Sequence, residues 1–247
     1  MARTVSVPLL FVTATDTEVG KTAVASGLAA LLRGRGRDVG VMKPFAAGCA
    51  ESGGTLISAD GACLARAAGV DDPHELICPI RLRHPLAPTV AAELEGRPID
   101  LSLVWSAVDA LAARHDRLIV EGIGGIMVPV TVDRYVADVA AELRAPLLIV
   151  ARAGLGTINH SLLTVEYARS RGLNVAGVLL NSPAEAPAGP AERTNPSVIA
   201  RRAGVPVFGP LGHCSGVSVE TGELGELPAM LAGVEGIDEL ISQYLGV

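Results

Sequence analysis

Gly20, Lys21 and Thr22 have the types and spacing that end a phosphate-binding loop, within the stretch TATDTEVGKT. In the pattern G-x-x-x-x-G-K-[ST], the last glycine lets the backbone approach a phosphate. The lysine reaches the β- and γ-oxygens, and the hydroxyl ligates Mg²⁺. Thr15 stands where this pattern has its first glycine. The loop lies between an apolar run and a helical segment, whose N-terminus attracts anions. We therefore predict nucleotide binding, against the alternative of a turn capped by Thr17.

Two acidic residues, Asp16 and Glu18, lie inside this loop, which is unusual for an anion site. Carboxylates beside phosphate groups repel them unless they point away or face a cation. In one interpretation both are solvated and only favour the helix N-terminus. In the other they face a positively charged substrate, such as an amine. The sequence leaves both open.

Lys43, Asp60 and Glu121 are further candidates for chemistry at a bound phosphate. Mg²⁺ prefers oxygen ligands and commonly takes one or two carboxylates, so Thr22, Asp60 and Glu121 are the candidate metal ligands. Asp60 has an alternative role as a residue that stabilises a helix N-terminus. Lys43 would add a second positive charge near a transferred phosphoryl group. The GIGG that follows Glu121 would let backbone N–H groups approach a ligand.

A second helix with glycines at its start is predicted in GLGTINHSLL. Gly154 and Gly156 precede it, and Thr157 is a candidate cap. The N-terminus of this helix could hold a carboxylate. Asn159 and His160 fall in its first turn, and we expect His160 to be structural rather than a catalytic base.

Composition restricts the class of protein. The 247 residues are 49% hydrophobic but only 3% aromatic, so the core must consist of alanine and aliphatic side chains. A net charge of -6 and a pI near 5.4 argue against a nucleic-acid-binding surface. Apolar runs are strand-sized, far short of the ~20 residues of a membrane helix, so we expect a cytoplasmic protein. The four cysteines lack a C-x-x-C pair and are predicted to be buried or incidental thiols.

The elements that must position these residues alternate between short apolar runs and helix-length amphipathic segments. This alternation predicts a parallel sheet covered by helices. We predict strands over 9–13, 38–43, 117–122, 146–154, 174–181 and 205–211. Helices are predicted over 21–33, 59–69, 101–115, 157–172, 194–204 and 227–245. Residues 182–196, rich in proline and alanine, are predicted to form a surface loop.

The resulting fold class is α/β, with a single doubly wound and mostly parallel sheet flanked by helices, similar to P-loop NTPases. One domain would span residues 1–247. Doubly wound sheets bind ligands at the carboxyl ends of their strands. The phosphate loop, Lys43, Glu121 and Asn181 all follow or end predicted strands. We therefore expect them to meet at one edge of the sheet.

Several stretches together resemble the dethiobiotin synthetase family. They are TDTEVGKT, VMKP followed by AAG, SAD, EGRPI, VEGIGG, VADVA, APLLIVARAGLGTINHSLLT and GVLLN, in that order from about residue 9 to 212. The family's loop has one more residue before its final G-K-T, which moves the glycine position to Ala14. The run that departs from the general pattern is then normal for the family. Ala14 is acceptable there if its φ is negative.

The resemblance implies an ATP- and Mg²⁺-dependent ligase. In this family 7,8-diaminononanoate and CO₂ give dethiobiotin, with release of ADP and phosphate. One substrate amine captures CO₂ as a carbamate, the γ-phosphoryl group is transferred to it, and the second amine closes a cyclic urea. The resemblance also implies a homodimer with the substrate site at the interface. Neither nucleic acid nor a membrane is an expected partner.

The resemblance assigns roles to individual residues. Lys43 and Lys21 would be catalytic, Asn181 would hydrogen-bond adenine, and the metal ligands would be the three named above. The residues that would bind ATP are Asp16, Thr17, Glu18, Val19, Gly20, Lys21, Thr22, Glu121, Gly122, Ile123, Gly124, Asn181, Pro210, Leu211 and Gly212. The residues that would contact the substrate are Ala47 and, through its carboxylate across the interface, Gly156, Thr157, Ile158 and Asn159.

The chain also departs from the family's pattern. Ala47 stands where a serine or threonine often touches the substrate, and Gly212 where a proline is frequent. An aromatic residue that some members supply from the partner subunit has no match in AERTNPSV. These positions concern substrate affinity and adenine recognition rather than the reaction class.

Two other classes compete with a ligase. A partitioning or septum-positioning ATPase usually has an additional loop lysine, where this chain has Asp16. Such proteins also often end in a basic helix, whereas this chain ends in the acidic GVEGIDELISQYLGV. A non-catalytic nucleotide-binding regulator is the third class, for which Ala14 and Ala47 would be the signs.

Overall fold

The computed structural model describes residues 3–182 and 189–247, in which strands and helices alternate. The strands are β1 (Leu9–Ala14), β2 (Gly40–Met42), β3 (Phe45–Ala46), β4 (Ala50–Ser52), β5 (Thr55–Ile57), β6 (Ile80–Arg81), β7 (Leu118–Glu121), β8 (Leu147–Arg152), β9 (Val175–Asn181), β10 (Val207–Leu211), β11 (Val217–Ser218) and β12 (Glu223–Leu224). The helices are α1 (Lys21–Gly34), α2 (Ala59–Ala68), α3 (His74–Ile77), α4 (Pro88–Leu94), α5 (Leu101–Ala112), α6 (Val136–Glu142), α7 (Thr157–Ser170), α8 (Pro190–Ala203), α9 (Leu227–Ala232) and α10 (Ile237–Leu245).

Six strands form the central sheet, in the order β10-β9-β8-β1-β7-β2. Every neighbouring pair in this sheet is parallel. The chain passes from β1 to the edge strand β2 and returns to β7 beside β1. It then continues on the other side through β8, β9 and β10. Doubly wound sheets bind ligands where the direction of winding reverses in this way. The predicted fold class is confirmed.

Helices cover both faces of the sheet because its strands are apolar on both sides. On one face, Leu10 and Val12 of β1 pack with α1, α2, α9 and α10. On the other face, Leu9 and Phe11 pack with α4, α5 and α6. Helices α7 and α8 cover the strands β8 and β9 on this second face. The loops at the carboxyl ends of the strands emerge between the two layers of helices.

The closing helix predicted over 227–245 is wrong, since the chain forms two helices there, α9 and α10. Gly236 separates them with φ 84°, in the left-handed region. A right-handed helix cannot continue through that conformation, and glycine adopts it without a steric penalty. The second helix therefore takes a new direction and packs against the core through Leu240 and Ile241.

Helix α8 begins earlier than the sequence predicts. It starts at Pro190 rather than near residue 194, and it contains Pro196 in its interior. Proline is favoured at the first helical position because the N–H that it lacks would have no partner there. The second half of the predicted surface loop is thus helical. Residues 183–188 of that loop lie outside the described residues.

The cysteines agree with the compositional prediction of buried or incidental thiols. All four cysteines, Cys49, Cys63, Cys78 and Cys214, are free, and the first three are buried. Within the described ranges, the helices are too short or too polar for any of them to cross a membrane.

Candidate active site

The phosphate loop connects β1 to α1. Gly20 is the N-cap of α1, with φ 97° and no side-chain cap bond, so the alternative of a turn capped by Thr17 is wrong. Glu18 has φ 56°, which residues other than glycine rarely adopt. Ala14 ends β1, its side chain is fully buried in the core, and it lies outside the positive-φ region. The position therefore accommodates a Cβ.

The two acidic residues of the loop differ in their surroundings. Asp16 Oδ1 accepts a hydrogen bond from the backbone N–H of Thr17 at 2.8 Å, so this carboxylate shapes the loop itself. Lys21 Nζ donates to the backbone oxygen of Asp16 at 3.1 Å. Glu18 is exposed and lines the adjoining cleft. Asp16 thus has a local structural role, while Glu18 is free to face a ligand.

Lys43, Asp60 and Glu121 meet at the carboxyl edge of the sheet. Lys43 follows β2 directly, Glu121 ends β7, and Asp60 lies in the first turn of α2. Lys43 Nζ is 2.7 Å from Asp60 Oδ2 and 2.5 Å from Glu121 Oε1. It also donates to the backbone oxygen of Gly122 at 3.2 Å. Thr22 Oγ1 donates to Glu121 Oε1 at 2.8 Å.

Burial and mutual attraction set the charges of this cluster. Burial alone would lower the pKa of Lys43, but Glu121 and Asp60 outweigh it and raise that pKa above its usual range. Burial raises the pKa of Glu121. For Asp60, Lys43 outweighs burial and holds the pKa below its usual value. Burial, followed by repulsion from Lys43, lowers the pKa of Lys21 to about 8. Of the two lysines, Lys21 is therefore the one whose charged form the protein stabilises less.

The side chain of Asp60 is held in place from the N-terminus of α2. Ser58 is the N-cap, and its hydroxyl accepts from the backbone N–H of Gly61 at 3.0 Å. His74 Nε2 in turn accepts from the backbone N–H of Ser58 at 3.1 Å. Because Ser58 caps the helix, Asp60 is not needed for that role and instead pairs with Lys43. Sequence reasoning missed His74, since no periodic pattern connects it to α2.

A cleft of about 710 Å³ opens beside this cluster. Most of the residues predicted to bind phosphate or metal line it, together with Ala47, which was predicted to contact the substrate. These predicted residues are Thr17, Glu18, Gly20, Lys21, Thr22, Lys43, Ala47, Asp60, Glu121, Ile123 and Gly124. Apolar residues that were not predicted also line the cleft: Ala23, Pro85, Leu86, Ala87, Pro88, Val128 and Val219. The proline-rich RHPLAP run is the sequence signal that could have indicated a rigid wall here.

The residues assigned to adenine lie together but outside this cleft. Asn181 pairs with Leu211 across β9 and β10, and Pro210 and Gly212 adjoin that strand end. The side chain of Asn181 points to the phosphate loop, where Nδ2 donates to the backbone oxygen of Val19 at 2.9 Å.

The residues assigned to the substrate carboxylate also lie outside the cleft of this single chain. Gly156 is the N-cap of α7 with φ 93°, so the prediction that Thr157 caps this helix is wrong. Thr157 is buried, Ile158 is partly buried and Asn159 is exposed. The start of α7 therefore faces solvent rather than the cleft of the same chain.

The donor set fits a hard, oxygen-loving cation. Glu121 Oε2 is buried and has no hydrogen-bond partner among the described residues. The Thr22 hydroxyl donates to the other oxygen of the same carboxylate, Glu121 Oε1. The Asp60 carboxylate is connected to Glu121 through Lys43, which contacts both. Mg²⁺ commonly takes one or two carboxylates beside substrate phosphates, and Asp60 and Glu121 supply two here.

Comparison with known proteins agrees with this geometry. A family model described as an AAA domain matches residues 9–221. The ATP-dependent dethiobiotin synthetase BioD of Bacillus subtilis (strain 168) is 44% identical over 211 residues, or 85% of this chain and 90% of that protein. The protein of the same name from Thermodesulfovibrio yellowstonii is 35% identical over 237 residues, or 93% of this chain and 98% of that protein.

One solved structure supports the fold alone. The MinC:MinD cell division protein complex of Aquifex aeolicus has a TM-score of 0.56 and 13% identity, and the match covers 97% of this chain and 96% of that chain. The relatives at 44% identity are far more specific, because that identity extends over most of both sequences, whereas the MinC:MinD match has only 13% identity. This chain therefore belongs to the ATP-dependent dethiobiotin synthetase family.

Proposed function

We propose that this chain, as one ligase domain over residues 1–247, makes dethiobiotin from 7,8-diaminononanoate, CO₂ and ATP, with release of ADP and phosphate. The observation that carries the proposal is the cluster in which Lys43 lies between Asp60 and Glu121, directly beside the G-K-T loop. A reaction between a carbamate and a triphosphate requires positive charge and oxygen ligands in one place. The name of the relatives supports ATP and the product dethiobiotin.

ATP would bind with its phosphates at the N-terminus of α1. Gly20 has the left-handed conformation that leaves the helix N–H groups uncovered, and Lys21 is buried beside them. The depressed pKa of Lys21, about 8, means that a nearby triphosphate would stabilise its charged form. The residues 121–124 and 210–212, with Asn181, are proposed to flank the nucleotide, which their positions at strand ends favour.

Thr22, Asp60 and Glu121 would hold Mg²⁺ together with the phosphates. The unpaired buried oxygen of Glu121 is the observation that favours this assignment. When bound, Mg²⁺ would neutralise charge on the phosphate oxygens and favour phosphoryl transfer. Lys43, which pairs with both carboxylates, holds them close together.

The reaction would proceed by three bond-forming steps. A substrate amine attacks CO₂ and forms a carbamate. A carbamate oxygen then attacks the γ-phosphorus, and ADP leaves. The second amine attacks the resulting carbonyl carbon, phosphate leaves, and the cyclic urea closes. Lys21 and Lys43 reduce the repulsion between the carbamate and the triphosphate. Ring closure joins two groups of one molecule, so positioning in the cleft is its main requirement.

The cleft suits a molecule with a polar end and an apolar chain. Charged side chains such as Lys43 and Asp60 line the cleft, and so do the apolar side chains of Leu86, Pro88 and Val128. Glu18 lines the same cleft and is exposed, so its carboxylate could attract an amine. Ala47 lies there too, without the hydroxyl that relatives often have, and would contact the substrate only through its methyl group.

We also propose that the protein acts as a cytoplasmic homodimer in which α7 of one chain completes the substrate site of the other. Leu155 is 99% exposed and Leu163 is 62% exposed, on either side of the helix start formed by Gly156 to Asn159. A substrate carboxylate would bind the N–H groups there. Leu163→Glu should produce monomers in sedimentation analysis and raise KM for the diamine. Leu103→Glu, at a 50% exposed leucine of α5, is the matched control and should remain dimeric.

The decisive test is coupling between the substrates. Phosphate release from ATP should require both CO₂ and the diamine, and mass spectrometry should find one dethiobiotin for each ADP. Rapid ATP hydrolysis without the diamine, together with no dethiobiotin in its presence, would exclude the ligase. A septum-positioning ATPase is not favoured, because the likeness to the MinC:MinD complex extends only to the fold.

A further inference from the structure

Asn181 connects the end of β9 to the phosphate loop across the sheet. The residue is only 7% exposed, and its Nδ2 donates to the backbone oxygen of Val19 at 2.9 Å. Because a carbonyl oxygen can only accept, the amide must present its nitrogen to the loop. Asn181 and Val19 are 162 positions apart in the chain, so this bond ties two separate elements together.

The loop has space for this amide only because residue 20 is glycine. A Cβ on Gly20 would lie 2.2 Å from Asn181 Nδ2, closer than any real contact. Gly20 therefore has two reasons to be glycine: its φ of 97° and the close approach of Asn181. The bond to the Val19 oxygen and the contact at Gly20 together fix the peptide group between Val19 and Gly20.

The other end of this connection is rigid. The backbone of Asn181 lies within the parallel pairing of β9 with β8 and β10, opposite Arg152 and Leu211. Its carbonyl oxygen also accepts from the N–H of Ala153 at 3.0 Å. In contrast, residues 16–18 of the loop are exposed. The fixed side of the loop is thus the side that begins α1, where the phosphates are proposed to bind.

We propose that Asn181 is a positioning residue for the phosphate loop: its amide holds the Val19–Gly20 peptide, and thereby the N–H groups at the start of α1, in the arrangement that binds phosphate. This role rests on the proposed nucleotide site but differs from recognition of adenine. A residue that reads adenine affects only adenine nucleotides. A residue that positions the loop affects every ligand that has the phosphates, whatever its base.

Two variants separate these roles. Asn181→Asp keeps the shape but turns an oxygen towards the Val19 carbonyl, and Asn181→Ala removes the side chain with less electrostatic disturbance. Asn195→Ala is the matched control, since Asn195 is 5% exposed and its Nδ2 also donates to backbone oxygens, at 2.9 Å to Ala153 and 3.1 Å to Gly154. It removes a buried asparagine of α8 that holds a different loop, the one after β8.

The measurements are hydrogen exchange of residues 15–22 in the ligand-free protein, and the affinities for ADP, GDP and inorganic tripolyphosphate with Mg²⁺. Both Asn181 variants should exchange faster in this loop, and their Kd for ADP and for tripolyphosphate should rise by a similar factor of about ten. Asn195→Ala should leave both readouts near the wild type. Thermal unfolding confirms that each variant is folded.

Two results would overturn the role of Asn181. Loop exchange as slow as in the wild type would show that the bond to Val19 does not hold the loop. A loss confined to ADP, with tripolyphosphate binding unchanged, would assign Asn181 to the base instead. If the wild type bound none of the three ligands, the proposed nucleotide site would be wrong, whereas the exchange of the ligand-free loop would still decide the positioning role.

Discussion

At both edges of the sheet, a cation lies between two carboxylates. At the carboxyl edge, Lys43 contacts Asp60 and Glu121. At the amino edge, His115 lies between Asp38 and Asp72, with Nδ1 2.9 Å from Asp38 Oδ1 and Nε2 2.7 Å from Asp72 Oδ2. Two buried or partly buried clusters of the same charge pattern thus stand at opposite ends of β2 and β7.

The two clusters differ in what remains unpaired. At the amino edge, Asp38 Oδ2 accepts from the backbone N–H of Asp116 at 2.8 Å. Asp72 Oδ1 makes no hydrogen bond among the described residues, but it is ion-paired with Arg114, whose Nε lies 2.5 Å away. At the carboxyl edge, Glu121 Oε2 has no hydrogen-bond partner among the described residues, and a cleft adjoins it. A cation between carboxylates is therefore not itself a sign of catalysis. The carboxyl-edge cluster is distinguished by the cleft beside Glu121 Oε2, whereas Arg114 lies against the corresponding oxygen at the amino edge.

The largest expected effect is on turnover when the cation of the carboxyl-edge cluster is removed. Lys43→Ala should lower kcat by about 10²–10³-fold, the usual loss for one charge-stabilising group in a closed site. Its counterpart, His115→Gln, should leave kcat unchanged because its cluster lies at the other end of the strands. Steady-state kinetics of both variants make the test. Equal kcat values for Lys43→Ala and the wild type would remove Lys43 from the mechanism.

The second comparison concerns the acids. Asp60→Asn should raise the Mg²⁺ concentration for half-maximal activity by up to about 100-fold, since a proposed ligand loses its charge. Asp38→Asn, the matched change at the amino edge, should leave the Mg²⁺ requirement unchanged. Metal titrations, followed both by activity and by calorimetry of ADP binding, provide the measurement. An unchanged requirement in Asp60→Asn would assign Asp60 only to the pairing with Lys43.

A smaller effect is expected at His74, which holds the helix start that carries Asp60. Burial, followed by repulsion from Arg81, lowers the pKa of His74, so that its Nε2 stays available to accept from Ser58. His74→Leu should raise the Mg²⁺ requirement about tenfold, as loss of an outer hydrogen-bond partner does. In His74→Gln the amide oxygen can replace Nε2, so the Mg²⁺ requirement should return close to that of the wild type.

Equal Mg²⁺ requirements in these two variants would show that the bond to Ser58 does not position Asp60. The wild type and both variants should unfold at similar temperatures if the effect is local, which separates positioning from a general loss of stability.

The sequence predicts the members of the carboxyl-edge cluster but not their partners. Strands buried on both faces appear as continuous apolar runs, so the ends that place Lys43, Glu121 and Asn181 can be located one at a time. The contacts between Asn181 and Val19, and between His74 and Ser58, depend on how loops fold back in three dimensions. Neither follows from a period of 2 or 3.6 residues.

The apolar residues that line the cleft could not be predicted from the sequence either. Leu86 and Pro88 line the same cleft as the predicted phosphate residues through tertiary contacts, such as the hydrogen bonds from the Thr89 hydroxyl to backbone oxygens of residues 129 and 131. Their sequence is equally compatible with an ordinary turn. The amino-edge cluster was also missed, since His115 ends a predicted helix and Asp38 begins a predicted strand without any shared motif. A motif identifies residues that act on a ligand more readily than residues that act on one another.

The smallest effect is expected at the amino edge and concerns stability. Both ring nitrogens of His115 face carboxylate oxygens, so these contacts favour the protonated ring, in which both nitrogens donate. Burial alone would lower the pKa of His115, but the hydrogen bonds to Asp38 and Asp72 outweigh it and raise that pKa above 6.5. Arg114, Asp116 and Arg117 are further charged residues near this cluster.

The sign of the pH dependence follows from the raised pKa. The stabilising contribution of His115 is complete below pH 6.5, the value in the unfolded chain, and is lost as the pH rises through the higher value of the folded state. At pH 6, His115→Gln should lower the free energy of unfolding by about 1–2 kcal/mol, and the difference from the wild type should shrink by pH 9. Urea denaturation at both pH values measures it, with the exposed His84→Gln as the control. If the difference were the same at both pH values, His115 would stabilise the strand ends by packing against Gly40 rather than by its charge. The two clusters would then have similar geometry, but the cation of the amino-edge cluster would not contribute through its charge.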